Sequence, residues 1–136
     1  MSASGGTVRL ALDAMGGDHG PTEVVPGGLR WAKENPTDHL TLVGDEQIIR
    51  TIAGGNLPSN VSIVHGPGVI TMEENPAIAV RERKDASMVV AATLVRDKLA
   101  DAVVTAGHTG AGMAAGVLII GRIKGVIRPA IAVQFL

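Results

Sequence analysis

The chain has 136 residues, 46% of them hydrophobic, with one Trp, one Phe, no Tyr, no Cys and a formal net charge of −1. That length suits one domain with a single aliphatic core, and the missing Cys excludes disulfides, thiolate metal sites and a cysteine nucleophile. The near-zero charge and scarce aromatics argue against a nucleic-acid partner.

Residues 1–7 are small and polar, lack the basic start and apolar stretch of a signal peptide, and read as a flexible tail. Residues 8–136 read as part of a single α/β domain. Residues 8–13 (VRLALD) predict a first strand, followed by a loop over 14–20. Pro21 suits a first helical turn, and a helix follows over 22–34 with Val24, Val25, Leu29 and Ala32 inward. Gly27 and Gly28 each weaken it by about 1 kcal/mol relative to alanine, which points to close packing. Asn35 and Pro36 stop it.

Residues 39–43 (HLTLV) predict strand two. Asp45 is the N-cap of a helix over 46–53, ended by Gly54 and Gly55. Residues 61–65 (VSIVH) predict strand three, and 66–76, rich in Gly, Pro and Glu, a surface excursion. A helix is predicted over 85–99, capped by Asp85, with Val89, Ala92, Leu94, Val95 and Leu99 inward. Residues 102–105 predict strand four, and 106–110 a second glycine loop. Residues 111–123 predict a helix apolar on nearly every face, hence central; its apolar stretch falls short of the roughly 20 residues of a membrane span. A fifth strand opens at 130–134.

Strands alternating with helices imply a parallel sheet covered on both faces. A last strand with no helix after it suggests the front part of something longer.

In such a sheet, ligands bind beyond the carboxyl ends of the strands. Two loops leave from that end. The first runs Asp13-Ala14-Met15-Gly16-Gly17-Asp18-His19-Gly20, the second Thr105-Ala106-Gly107-His108-Thr109-Gly110-Ala111-Gly112. Adjacent glycines let free backbone N–H groups face an anion, and the Thr109 hydroxyl could cap a helix or bind an oxyanion. Neither loop is a Walker or G-x-G-x-x-G motif, so a small anion or phosphoryl group is preferred to a dinucleotide. Such loops also serve simply as tight turns; two on one sheet end favour a site. The candidate anion ligands are Asp13, Gly16, Gly17, Asp18, Gly107, His108, Thr109 and Gly110. His19 and His108 are candidate general bases or phosphate donors, although loop histidines are often just solvated. Asp13 and Asp18 could hold a metal, although strand-end Asp more often caps or turns. His39 and His65 carry no assigned role. Arg81, Arg83 and Lys84 form a basic cluster, either a solvated face or a clamp for an acidic partner.

DAMGGDHGP (13–21), LVGDE (42–46), RERKDASM (81–88), TAGHTGAGM (105–113) and GRIKGVIRPA (121–130) occur in order. Together they resemble the N-terminal part of the bacterial phosphate acyltransferases of phospholipid synthesis, from residue 8 to 130. The resemblance implies a three-layer α/β/α domain with a mainly parallel sheet, of the isocitrate-dehydrogenase-like and phosphotransacetylase type, here truncated, and usually a homodimer. It implies attack of inorganic phosphate on acyl–acyl carrier protein to give acyl phosphate. A membrane glycerol-3-phosphate acyltransferase then consumes that product. A cytoplasmic location, or a peripheral one at the membrane, follows, with no cofactor and no metal. The Arg81, Arg83 and Lys84 cluster would suit the acidic carrier protein.

Two departures stand out. The family's second loop usually reads A-G-N-T-G-A, and here His108 replaces the Asn. The family is also well over twice this length, and its later motifs are absent. Two other functions therefore compete: a phosphotransacetylase-like enzyme using acyl-CoA, and a non-catalytic module that binds phosphate or carrier protein.

Overall fold

The computed structural model describes residues 6–130. Short aliphatic runs give four strands: β1 (Arg9–Asp13), β2 (His39–Gly44), β3 (Val61–His65) and β4 (Ala102–Val104). The helices are α1 (Pro21–Glu34), α2 (Glu46–Ala53), α3 (Pro76–Glu82), α4 (Ser87–Arg96) and α5 (Thr109–Ala115), the last running into a π-helical segment, Gly116–Ile120. Among the described residues, no helix is long and apolar enough to cross a membrane.

The strands are all parallel, in the order β3-β2-β1-β4. The chain therefore builds outward from β1 on one side and returns to its other side with β4. The switch point lies between the carboxyl ends of β1 and β4, the position where an open parallel sheet leaves a crevice. Both glycine loops leave from it.

Side chains alternate across the sheet. Leu10 and Leu12 of β1, with Leu40 and Leu42 of β2, pack under Val25 and Ala32 of α1 and Ile49 of α2. Ala11 and Val43 pack against Ala91 of α4 on the opposite face. A third cluster joins α3, α4 and α5 through Val80, Met88, Val89 and Ala111. Each fully buried Leu, Ile or Val contributes about 1.5–3 kcal/mol. Gly28 lets α1 lie directly on the sheet, since a Cβ there would stand 2.8 Å from Leu12 Cδ2 and 3.2 Å from Leu40 and Leu42. Gly27 faces open space, so only one of the two glycines carries the close packing the sequence suggested.

Helix α2 and strand β3 match their expected bounds, and Asp45 caps α2 by accepting from the Ile48 N–H at 3.1 Å. Four expectations need correction. The excursion at 66–76 ends in a helix, α3, which begins at Pro76 behind an Asn75 cap. Asp85 does not cap α4; it pairs with Arg83, and Ala86 stands at the cap position without a side-chain bond. Leu99 is 62% exposed, because α4 stops at Arg96 and the chain turns through Lys98 at φ 61°. The expected central helix buries only Ala111 and Ala115 in α5 and nothing in its π-helical continuation. Its outer side is uncovered among the described residues, and β4 is an edge strand there. The fifth strand expected over 130–134 falls, after Ala130, outside the described residues, as do residues 1–5 of the expected tail.

Candidate functional site

At the switch point the carboxyl group of Asp13, the last residue of β1, is 2% exposed. A buried carboxyl needs donors, and it has three. Ser87 Oγ donates to Oδ1 at 2.5 Å, Thr105 Oγ1 to Oδ2 at 2.7 Å and the Met15 N–H to Oδ1 at 3.2 Å. Ser87 opens the ten-residue helix α4, so the carboxyl also sits at that helix's positive end. Asp13 thereby joins the β1 loop, the start of α4 and the end of β4. Thr105 passes the link on by accepting the Gly107 N–H at 3.1 Å.

The two loops touch backbone to backbone. A Cβ on Gly16 would stand 2.9 Å from the Gly107 nitrogen and 2.8 Å from Asp13 Oδ2. No larger residue fits there without parting the loops. Gly17 turns the chain at φ 95°.

Between the joined loops and residues 69–72 lies a cavity of about 320 Å³. Its polar side is formed by Asp13, Gly16, Gly17, Asp18, Gly107, His108 and Thr109. Among the described residues, the N–H groups of Gly16, Gly17 and His108 have no acceptor within the protein. Of the eight expected anion ligands, only Gly110 is absent from the lining; its N–H donates to His108 Nδ1 at 3.1 Å. His19 lies elsewhere, in an adjoining recess with Asp18, Gly20 and Glu23.

His108 is the N-cap of α5, its Nδ1 accepting from the Gly110 and Ala111 N–H groups. The cap belongs to His108 rather than to Thr109. With Nδ1 as acceptor, the ring's proton is on Nε2, which leaves that atom as a donor.

The far wall is residues 69–72, within the stretch expected from sequence to be a surface excursion. Glu74 accepts the Thr71 N–H at 2.7 Å and receives Arg83 Nη1 at 2.7 Å. The Thr71 N–H and then the Arg83 guanidinium hold the Glu74 carboxyl below the usual carboxylate range, and Glu74 raises Arg83 in turn. Arg83 also reaches Asp85 and the Val69 carbonyl. Its guanidinium is thus committed within the protein. Arg81 and Lys84 are exposed and, among the described residues, make no ion pair.

Sequence reasoning places Thr105 in the second loop without a role and misses Ser87 and Glu74 as parts of this site. The available signal was Asp13 itself: a carboxyl at the end of a buried strand requires hydroxyl or N–H partners.

The chain matches the family model described as fatty acid synthesis protein over residues 8–135. It is 45% identical over 126 residues to a phosphate acyltransferase of Syntrophomonas wolfei, covering 91% of this chain and 39% of that one. It is 50% identical to the phosphate acyltransferase of Desulforamulus reducens, covering 92% of this chain and 38% of that protein. A third, from Pelotomaculum thermopropionicum, is 52% identical, with 92% and 36% covered. The chain spans less than two fifths of the length of these relatives.

Proposed function

Since the chain belongs to the fatty acid synthesis protein family, we propose that it forms the phosphate-holding part of a phosphate acyltransferase acting on acyl–acyl carrier protein. The observation that carries this is the pair of glycine loops tied together by Asp13, Thr105 and Ser87 beside one cavity. Unpartnered N–H groups of Gly16, Gly17 and His108 suit a phosphate oxyanion. Thr109 Oγ1 and the outer nitrogen of His108 add neutral donors, and Asp13 acts by holding both loops in register.

In the proposed reaction a phosphate oxygen attacks the thioester carbonyl carbon. The C–O bond forms, the C–S bond breaks, and the proton of hydrogen phosphate goes to the carrier's departing sulfur. The products are acyl phosphate and free carrier thiol, and a membrane glycerol-3-phosphate acyltransferase would consume the former. Catalysis then comes from positioning and from fixed donors to the developing oxyanion, with no enzyme nucleophile. Of the 81–84 cluster, Arg81 and Lys84 are left for an acidic carrier, since Arg83 is paired with Glu74 and Asp85.

Incubating the purified chain with acyl–carrier protein and phosphate, and measuring acyl phosphate beside phosphate binding, tests the proposal. Acyl phosphate formed from the carrier thioester but not from acyl-CoA supports it; preference for acyl-CoA would move it to a phosphotransacetylase-like activity. The relatives' much greater length favours a second reading, a module that binds phosphate or carrier without turnover. Phosphate binding with no acyl phosphate selects that one.

A further inference from the structure

The cavity has two chemically different sides. Opposite the glycine loops, residues 69–72 present Val69 and Met72, 42% and 74% exposed, above Ile70 and Met88, which are buried. This shelf is built, not loose. Glu74 grips the Thr71 N–H, Arg83 grips Glu74 and the Val69 carbonyl, and Gly68 bridges to Ala86 at the start of α4. Holding apolar side chains out at the rim of a polar cavity orders them without burying them. Apolar matter from a ligand would bury them.

We infer that the shelf at residues 69–72 receives the alkyl chain of the acyl thioester, with the first methylenes lying on Met72 and Val69. The inference rests on the phosphate reading above and adds to it the position of the acyl group. Attack requires the phosphate oxygen and carbonyl carbon to approach to about 3–3.5 Å. Phosphate held by the glycine loops therefore fixes the carbonyl inside the same cavity, and the chain attached to it must leave along a wall. The loop walls are polar, and the shelf is the apolar one. Among the described residues, two other apolar recesses share no lining residue with the cavity: the groove of Leu12, Trp31 and Val104 beside α1, and the recess of Met113, Val117 and Ile120. Glu74 and Arg83 are positioning residues, acting through the shelf.

The test uses the chain with 13C-methyl methionine, inorganic phosphate and S-octyl-pantetheine, a thioether that cannot be cleaved. With phosphate present, the octyl probe is expected to shift the Met72 and Met88 methyl signals saturably and leave Met113 unmoved. Met72→Gln, nearly equal in size and exposed, should raise the probe's Kd about fivefold and leave the phosphate Kd within about twofold. Glu74→Gln should weaken the probe in the same selective way. Ile48→Gln, an exposed apolar site on α2 away from the cavity, should change neither. Shifts at Met113 alone, or an unchanged probe Kd in Met72→Gln, would overturn the acyl assignment. Phosphate binding without any probe binding would overturn it too and leave the phosphate reading standing. Failure of phosphate itself to bind would remove the reading on which the assignment rests.

Discussion

Replacing Asp13 by alanine takes the acceptor from three donors at once: Ser87 Oγ at 2.5 Å, Thr105 Oγ1 at 2.7 Å and the Met15 N–H at 3.2 Å. A hydrogen bond to a charged group contributes about 1.5–3 kcal/mol, a neutral one about 1. The orphaned hydroxyls can turn toward other acceptors, so the sum is discounted to about 3–5 kcal/mol. That is a large share of the roughly 5–15 kcal/mol that holds a domain folded. Asp13→Asn keeps one acceptor oxygen and leaves the rotatable hydroxyls able to accept, so it should cost only about 1–2 kcal/mol. The assay is urea unfolding followed by circular dichroism, with Thr105→Val as the partner in a double-mutant cycle. A coupling of about 1–2 kcal/mol between positions 13 and 105 is expected. Strictly additive effects, or an alanine variant within about 0.5 kcal/mol of the parent, would refute the role of Asp13 as the tie between the loops.

The α1 glycines should respond oppositely to alanine. Gly27→Ala meets open space and should stabilise by about 0.5–1 kcal/mol, whereas Gly28→Ala drives a methyl into Leu12 and should destabilise by about 1–2 kcal/mol in the same unfolding assay. His108→Ala removes the α5 cap and should lower stability by about 1 kcal/mol, while His108→Asn, which can accept the same N–H groups, should restore most of it. The Glu74 carboxyl is lowered in the folded state, so its contribution is full above the ordinary glutamate range and is lost as pH falls through that lowered value. Hydrogen-exchange protection of the Thr71 amide should therefore collapse in acid, and Glu74→Gln should remove that step; an unchanged acid profile in the variant would count against the Thr71–Glu74–Arg83 tether.

Much of the fold was legible because local chemistry marked it. Asp45 and Gly54 bracket α2, and the latter caps it at φ 78°. The alternating apolar residues of β1 and β2 gave the sheet. Helix α3 was hidden because Pro76 was counted as a loop residue, although Asn75 before it is an N-cap and proline suits the first helical turn. The run at 111–123 was read as central from its apolarity alone; apolarity states a need for burial and not what supplies it. In the site, the loops could be read from glycine spacing, but what joins them could not. Asp13 reaches Ser87 and Thr105 across 74 and 92 residues of chain, a relation no local pattern encodes. The capping role of His108 was missed because histidine is not among the usual N-cap residues. Arg83 reads as part of a basic surface because Glu74, nine residues before it, becomes its neighbour only through α3, and Asp85, two residues on, reads as a helix cap rather than as its partner.

On the proposed reading, the two glycine loops together hold phosphate. Amide-resolved NMR of the chain titrated with inorganic phosphate tests it most directly. The expected result is saturable, one-to-one shifts centred on the amides of Gly16, Gly17 and His108, abolished by Gly16→Val, which would drive the loops apart. No saturable shift, or shifts centred instead on the exposed cations Arg122, Lys124 and Arg128, would contradict it.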